Sequence, residues 1–223
     1  MNRKLKLFIV TILILVSLII IQTIPVFLPK PLMARELKGS KVTVFYARND
    51  AKGAQEVFEL LEQQAGEIQK KLDFLNEKPT KVYVYSKQSA LFIRKYGLVT
   101  LLAASKWYIG DNKGDQVLLV SPTAKLEEHN HESILSAAIH ELVHTINFQL
   151  NPKLSYWLDN GVATYLAGQA PENNFAKNQA IPEFKDLQSE DEMRFGEIGG
   201  YQYSYTYIEF LTQSSMVGRR LWL

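Results

Sequence analysis

The sequence predicts an α+β domain carried on a single N-terminal membrane helix. Three observations predict it. Arg3, Lys4 and Lys6 precede an almost unbroken apolar run from Leu7 to about Leu28. Beyond it, short alternating segments are interleaved with stretches of helical periodicity. The 223 residues, 47% of them hydrophobic, suffice for one sizeable core but hardly for two.

The apolar run approaches the roughly 20 residues that cross a bilayer and lacks an A-x-A cleavage site, so it reads as an uncleaved signal anchor over residues 7–28. The basic residues then place 1–6 in the cytoplasm and everything after residue 30 outside the membrane. A cleaved signal peptide is the alternative, and either reading exports the domain. PKPLMARELK (29–38) has two prolines and no apolar periodicity and reads as a spacer, so that the domain occupies 39–223. KVTVFYA (41–47) alternates as a strand does. Residues 51–75 carry apolar positions at helical spacing, with lysines and glutamates opposite. KVYVYS (81–86) is a second strand, SALFIRKYG a short helix closed by Gly97, and DQVLLVSP (115–122) a third strand stopped by Pro122. Ser133 serves as N-cap for the helix SILSAAIHELVHTINFQL, which Asn151 and Pro152 end. Further helices are expected over about 154–166, closed by Gly168, and about 203–212. SSMVGRRLWL (214–223) offers no clear final element, as in a shortened domain or a truncated chain.

Composition narrows the function. The net charge is +2, with basic and acidic residues interleaved, so no nucleic-acid footprint appears. There is no cysteine, which excludes disulfides, thiolate metal ligands and a thiol nucleophile. A metal would have to be held by His, Asp or Glu.

IHELVH (139–144) supplies that chemistry. Residues four apart share one face of a helix, so His140 and His144 can present both imidazoles to one cation while Glu141 lies beside them. Zinc in such a site lowers the pKa of bound water to about 7, and the neighbouring carboxylate takes the proton as water attacks a carbonyl. The plainer alternative is two satisfied histidines at a helix edge. His129 and His131, in the polar run EEHNHES, read as solvated loop residues. His144 is followed by TINFQL, so the continuation HExxHxxGxxH is absent and a third ligand must come from a later element.

IHELVH followed by WLDNGVATY (157–165) resembles the gluzincins, most closely the small bacterial peptidase MA-like domains. There HExxH precedes a W-L-x-E-G-x-A-x-Y helix whose glutamate is the third zinc ligand. The resemblance covers most of residues 40–212 and extends to QVLLVSP (116–122), similar to the edge strand of their substrate cleft, and to YQYSYTYIEFL (201–211), similar to their late tyrosine-rich helix. It implies a zincin-like fold, a Zn2+ cofactor, a peptide or protein substrate and Glu141 as general base. The match places Asn160 where the glutamate belongs, with Asp159 one residue earlier. A one-residue shift turns a helical side chain by about 100°, so Asp159 binds only from an irregular first turn, whereas Asn160 offers a neutral oxygen. Zinc's preference for anionic oxygen favours Asp159. The alternative takes both as simple helix-start residues, leaving Glu172, Glu183 or Asp186 as later carboxylates or the domain as a non-catalytic extracellular binding module. Of the alternating tyrosines 201, 203, 205 and 207, which otherwise read as a strand edge or as packing, the resemblance points to Tyr201 as donor to the oxyanion.

Overall fold

The computed structural model describes residues 2–28, 30–31, 33–75, 78–102, 107–173, 175 and 180–214. The fold is mixed α+β, built on a small open sheet of five strands behind one N-terminal apolar helix. That helix, α1 (Arg3–Phe27), is long and apolar enough to cross a membrane, a property shared by anchors and signal sequences.

The strands are β1 (Arg35–Lys38), β2 (Val42–Tyr46), β3 (Thr80–Tyr85), β4 (Gly110–Lys113) and β5 (Gln116–Val120). They stand in the order β1-β2-β3-β5-β4. The central three run parallel and both outer strands antiparallel. Parallel neighbours need crossovers, and these hold α2 (Ala51–Lys71) after β2 and α3 (Gln88–Tyr96) after β3. Both faces are covered, which explains why the strands read as VYVY and VLLV rather than as apolar and polar in turn. Val42, Val44, Val82, Val84, Val117 and Leu119 pack with α2, α4 (His131–Leu150) and α5 (Tyr156–Leu166). Phe45, Tyr83, Tyr85, Leu118 and Val120 point the other way, onto Leu91 and Phe92 of α3. The last helices among the described residues are α6 (Phe184–Leu187), α7 (Glu192–Glu197) and α8 (Gly200–Ser214).

Several sequence expectations are corrected. The spacer ends sooner: RELK is β1, because its backbone completes the free edge of β2 although only Leu37 of its side chains is apolar. The strand that flanks the HExxH helix at the sheet edge is β4, and QVLLV lies inside it, between β3 and β4. Asn130 caps α4, three residues before the expected Ser133, which serves instead as the return arm of a capping box. The tyrosines at 201–207 lie on α8, so the helix expected from about 203 is present, begins three residues earlier, and displaces the strand-edge reading of their alternation. Of the closing stretch, residues 215–223 fall outside the described residues.

One carboxylate fixes the start of the domain. Glu62 of α2 accepts hydrogen bonds from the backbone N–H groups of Ser40, Lys41 and Val42 at 2.6–3.1 Å. Burial opposes its charge, but these donors and the Ser40 hydroxyl prevail and hold it below its ordinary 4.5. Glu62→Gln is therefore expected to cost about 1–2 kcal/mol at pH 7, measured by urea unfolding. A depressed folded pKa gives stability that is complete above the unfolded value and lost on acidification. The difference between wild type and variant should shrink as pH falls from about 4.5 through the lower folded value.

Candidate functional site

The site forms where α4 passes under the sheet edge and α5 returns antiparallel to it. Helix α4 is buried over most of its middle, and His140, Glu141 and His144 are all 9% exposed or less. They face a cleft of about 280 Å³, lined also by Lys95, Trp107, Gly110, Asp111, Tyr156, Glu192 and Tyr201. A larger hollow of about 410 Å³ lies against Trp157, Phe184, Tyr207 and Phe210, but it is apolar and lined by no carboxylate or imidazole, so the titratable groups gather at the smaller cleft. Strand β4 passes close over Glu141. A Cβ on Gly110 would stand 2.9 Å from Glu141 Cγ, so a side chain there would displace the carboxylate.

Both imidazoles are held from behind. His140 Nδ1 lies 2.9 Å from the amide oxygen of Gln169, whose own amide nitrogen donates to Ser136 Oγ at 3.1 Å. His144 Nδ1 lies 2.8 Å from Asp159 Oδ2, close enough for an ion pair although off the line of a good hydrogen bond. Asp159 Oδ1 accepts from Asn147 Nδ2 at 2.7 Å. With an oxygen beside each Nδ1, the tautomer that protonates both Nδ1 atoms leaves lone pairs on the two Nε2 atoms, which face one another at 2.9 Å. Two lone pairs at that distance repel unless a cation lies between them, either a proton or a metal ion. For zinc bonds of about 2.0–2.1 Å in a tetrahedron the two nitrogens stand about 3.3 Å apart, a few tenths of an ångström from the separation seen here.

Electrostatics set the two rings apart. Burial, with the neighbouring His144, pushes the His140 pKa down to about 3. Burial also opposes protonation of His144, but Asp159, with Glu141 and Asp111 farther away, outweighs it and raises the net value. Burial pushes Glu141 up to about 8.

No family model and no curated protein matches the chain. The site must be read from its own residues.

His140, Glu141, His144, Asp159, Asn160 and Tyr201 all line the one cleft. Asp159 stands behind His144, on its Nδ1 side, and both its oxygens are engaged there. Asn160 is buried; its amide nitrogen donates to the Tyr156 carbonyl at 2.9 Å, and its side chain is also within hydrogen-bonding reach of His140. The Tyr201 hydroxyl lies 3.4 Å from that of Tyr156, and burial raises the pKa of both, so each keeps its proton and can donate it in a hydrogen bond. His131 pairs with Glu56 at the surface, and His129 meets the Trp107 carbonyl. Glu172, Glu183 and Asp186 are absent from the cleft lining, and Asp186 pairs with Arg194. Among the described residues, no group of three or more His, Asp or Glu side chains is gathered closely enough to hold a metal ion. The two imidazoles offer a cation two nitrogen donors, and Asn160, which lines the same cleft, offers a neutral amide beside them.

The sequence reading missed Lys95 and Asp111, ion-paired across the cleft wall, and also Glu192, Tyr156 and the supporting Gln169 and Asn147. Gln169 and Asn147 had no readable signal. They matter only because α5 folds back against α4.

Proposed function

We propose that the domain is a zinc-dependent peptidase of gluzincin type with a zincin-like arrangement, exported and tethered by α1. The observation that carries this reading is the convergence of the His140 and His144 Nε2 atoms, with both Nδ1 atoms held by oxygen partners, beside a buried glutamate. Oxygen partners behind metal-binding imidazoles fix the tautomer and ring orientation, which is the role assigned here to Asp159 and Gln169.

His140 and His144 would hold the zinc, with the Asn160 amide oxygen as the weak third donor. Zinc, when bound, supplies Lewis acidity at a peptide carbonyl and acidifies water. Glu141 takes the proton from the attacking water and returns it to the leaving amine. Tyr201, with Tyr156 beside it, donates a hydrogen bond to the oxygen that gains negative charge. β4 offers its free edge along the cleft, suited to an extended peptide that adds as a further strand.

Metal analysis tests the first link. Purified protein equilibrated with micromolar zinc and then mildly dialysed is expected to hold close to one zinc per chain, and His140→Ala to hold none. Less than about 0.2 zinc per wild-type chain would sink the metal reading. A second reading, a binding module that keeps the fold without turnover, is favoured by the amide at position 160 and predicts zinc without hydrolysis of any unfolded protein.

A further inference from the structure

The domain is not hung loosely from α1. Arg94 of α3 is buried, and its guanidinium donates to the carbonyls of Pro25 and Val26 at 3.1 and 2.6 Å. The Lys113 ammonium, from β4, reaches the same Val26 carbonyl. These are last-turn carbonyls that lack helical partners, and cations complement that end of a helix. The Val99 N–H approaches Gln22 Oε1 at 3.4 Å, and Gly97 (φ +86°) lies so close to Gln22 that a Cβ would stand 2.4 Å from its carbonyl oxygen. Two elements thus grip the helix end.

The same two elements build the cleft. Lys95, next to Arg94, lines it. Asp111 lines it too, two residues from Lys113 on the same face of β4 and so about 7 Å away. Aromatic contacts run from Tyr96 through Phe92 and Tyr108 to Trp107 at the cleft.

Bilayer thickness then fixes where this rim sits. Leu7–Ile21 is exposed throughout and rises only about 22 Å, whereas a hydrocarbon core is about 30 Å thick. Burying the remaining 8 Å or so takes in about five more residues, the stretch beginning at Gln22 that α3 and the following turn already hold. A bilayer of full thickness brings those segments to the headgroup layer, whereas a locally thinned one leaves them above it. They expose Tyr96 and Val99, and Trp107, ahead of β4 at the cleft, is exposed as well; aromatic residues of this kind favour that layer.

We infer that the rim formed by Tyr96, Val99 and Trp107 rests in the outer headgroup layer of the membrane, so that the cleft takes polypeptide emerging from the bilayer. The membrane-proximal segment of an anchored protein is the substrate class that fits. This rests on α1 being kept as an anchor and on the peptidase reading only for the word substrate.

The chain has no cysteine, so single cysteines can be introduced cleanly. Full-length Val99→Cys and, as control across the sheet on α2, Gln63→Cys would each be labelled with a nitrobenzoxadiazole dye. Both would be placed in phosphatidylcholine/phosphatidylglycerol vesicles carrying a headgroup nitroxide lipid. Quenching at position 99 is expected to exceed that at 63 several-fold, and to fall to the control level when Arg94→Gln and Lys113→Gln are added. Equal quenching at 99 and 63, in chains whose N-terminus is intact and which float with the vesicles, overturns the inference while leaving the anchor in place. A mature N-terminus between about residues 25 and 40, with the protein in the soluble fraction, overturns the anchor and the inference with it. Should the double variant not fold, the comparison of 99 with 63 in the otherwise native chain still decides.

Discussion

Glu141→Gln is expected to lower hydrolysis of an unfolded protein substrate by about a hundredfold or more while leaving the zinc content unchanged. The amide keeps the shape that fits beneath Gly110 but cannot take a proton. Glu141 is not part of the His140–His144 pair, whose support comes from Gln169 and Asp159. Turnover assays paired with metal analysis check both halves. A variant that loses zinc along with activity would make Glu141 a ligand. A wild type that binds zinc yet cleaves nothing would favour the binding-module reading.

The parts of the fold that were legible carried strong local signals. α4 has continuous apolar periodicity, a polar cap region and Asn151–Pro152 at its end, and these placed the histidines correctly on one helical face. β2, β3 and β5 are β-branched and aromatic runs that need no partner to be read. β1 and β4, RELK and GDNK, are mostly polar, with Leu37 their one large apolar residue, and their extension depends on pairing with β2 and β5, which no local pattern records. One signal for β4 was present: Gly114–Asp115 joins it to β5, with Gly114 at φ +60°, a two-residue hairpin turn that glycine favours. α8 was expected as a helix from about 203, although four tyrosines at every second position also imitate a strand. The buried set Ser204, Tyr205 and Ile208 follows the helical spacing instead. In the site, the HExxH triplet could be read because its chemistry lies within one turn of one helix. Lys95, Asp111 and Glu192 reach the cleft from three other elements, and only the folded topology brings them there.

Asp159 and Asn160 give the second large effect, with opposite signs. Asp159 supports His144 from behind, so Asp159→Asn should weaken zinc binding about 10- to 100-fold through misorientation of the ring, as loss of such an outer partner does. Asn160 is 3% exposed, and Asn160→Glu should raise zinc affinity by supplying the anionic oxygen that the resemblance places there. The same variant carries a cost without metal, because a buried carboxylate close to Asp159 and Glu141 is both desolvated and repelled. Its metal-free form should therefore melt below wild type, and zinc should raise its melting temperature by more than it raises that of wild type, since a ligand bound only to the native state stabilises it by an amount that grows with the logarithm of its affinity. Isothermal titration with zinc and melting curves with and without the metal separate the assignments. If Asp159→Asn abolishes binding outright while Asn160→Glu leaves it unchanged, Asp159 is itself the ligand, and its place behind His144 must change when the metal enters.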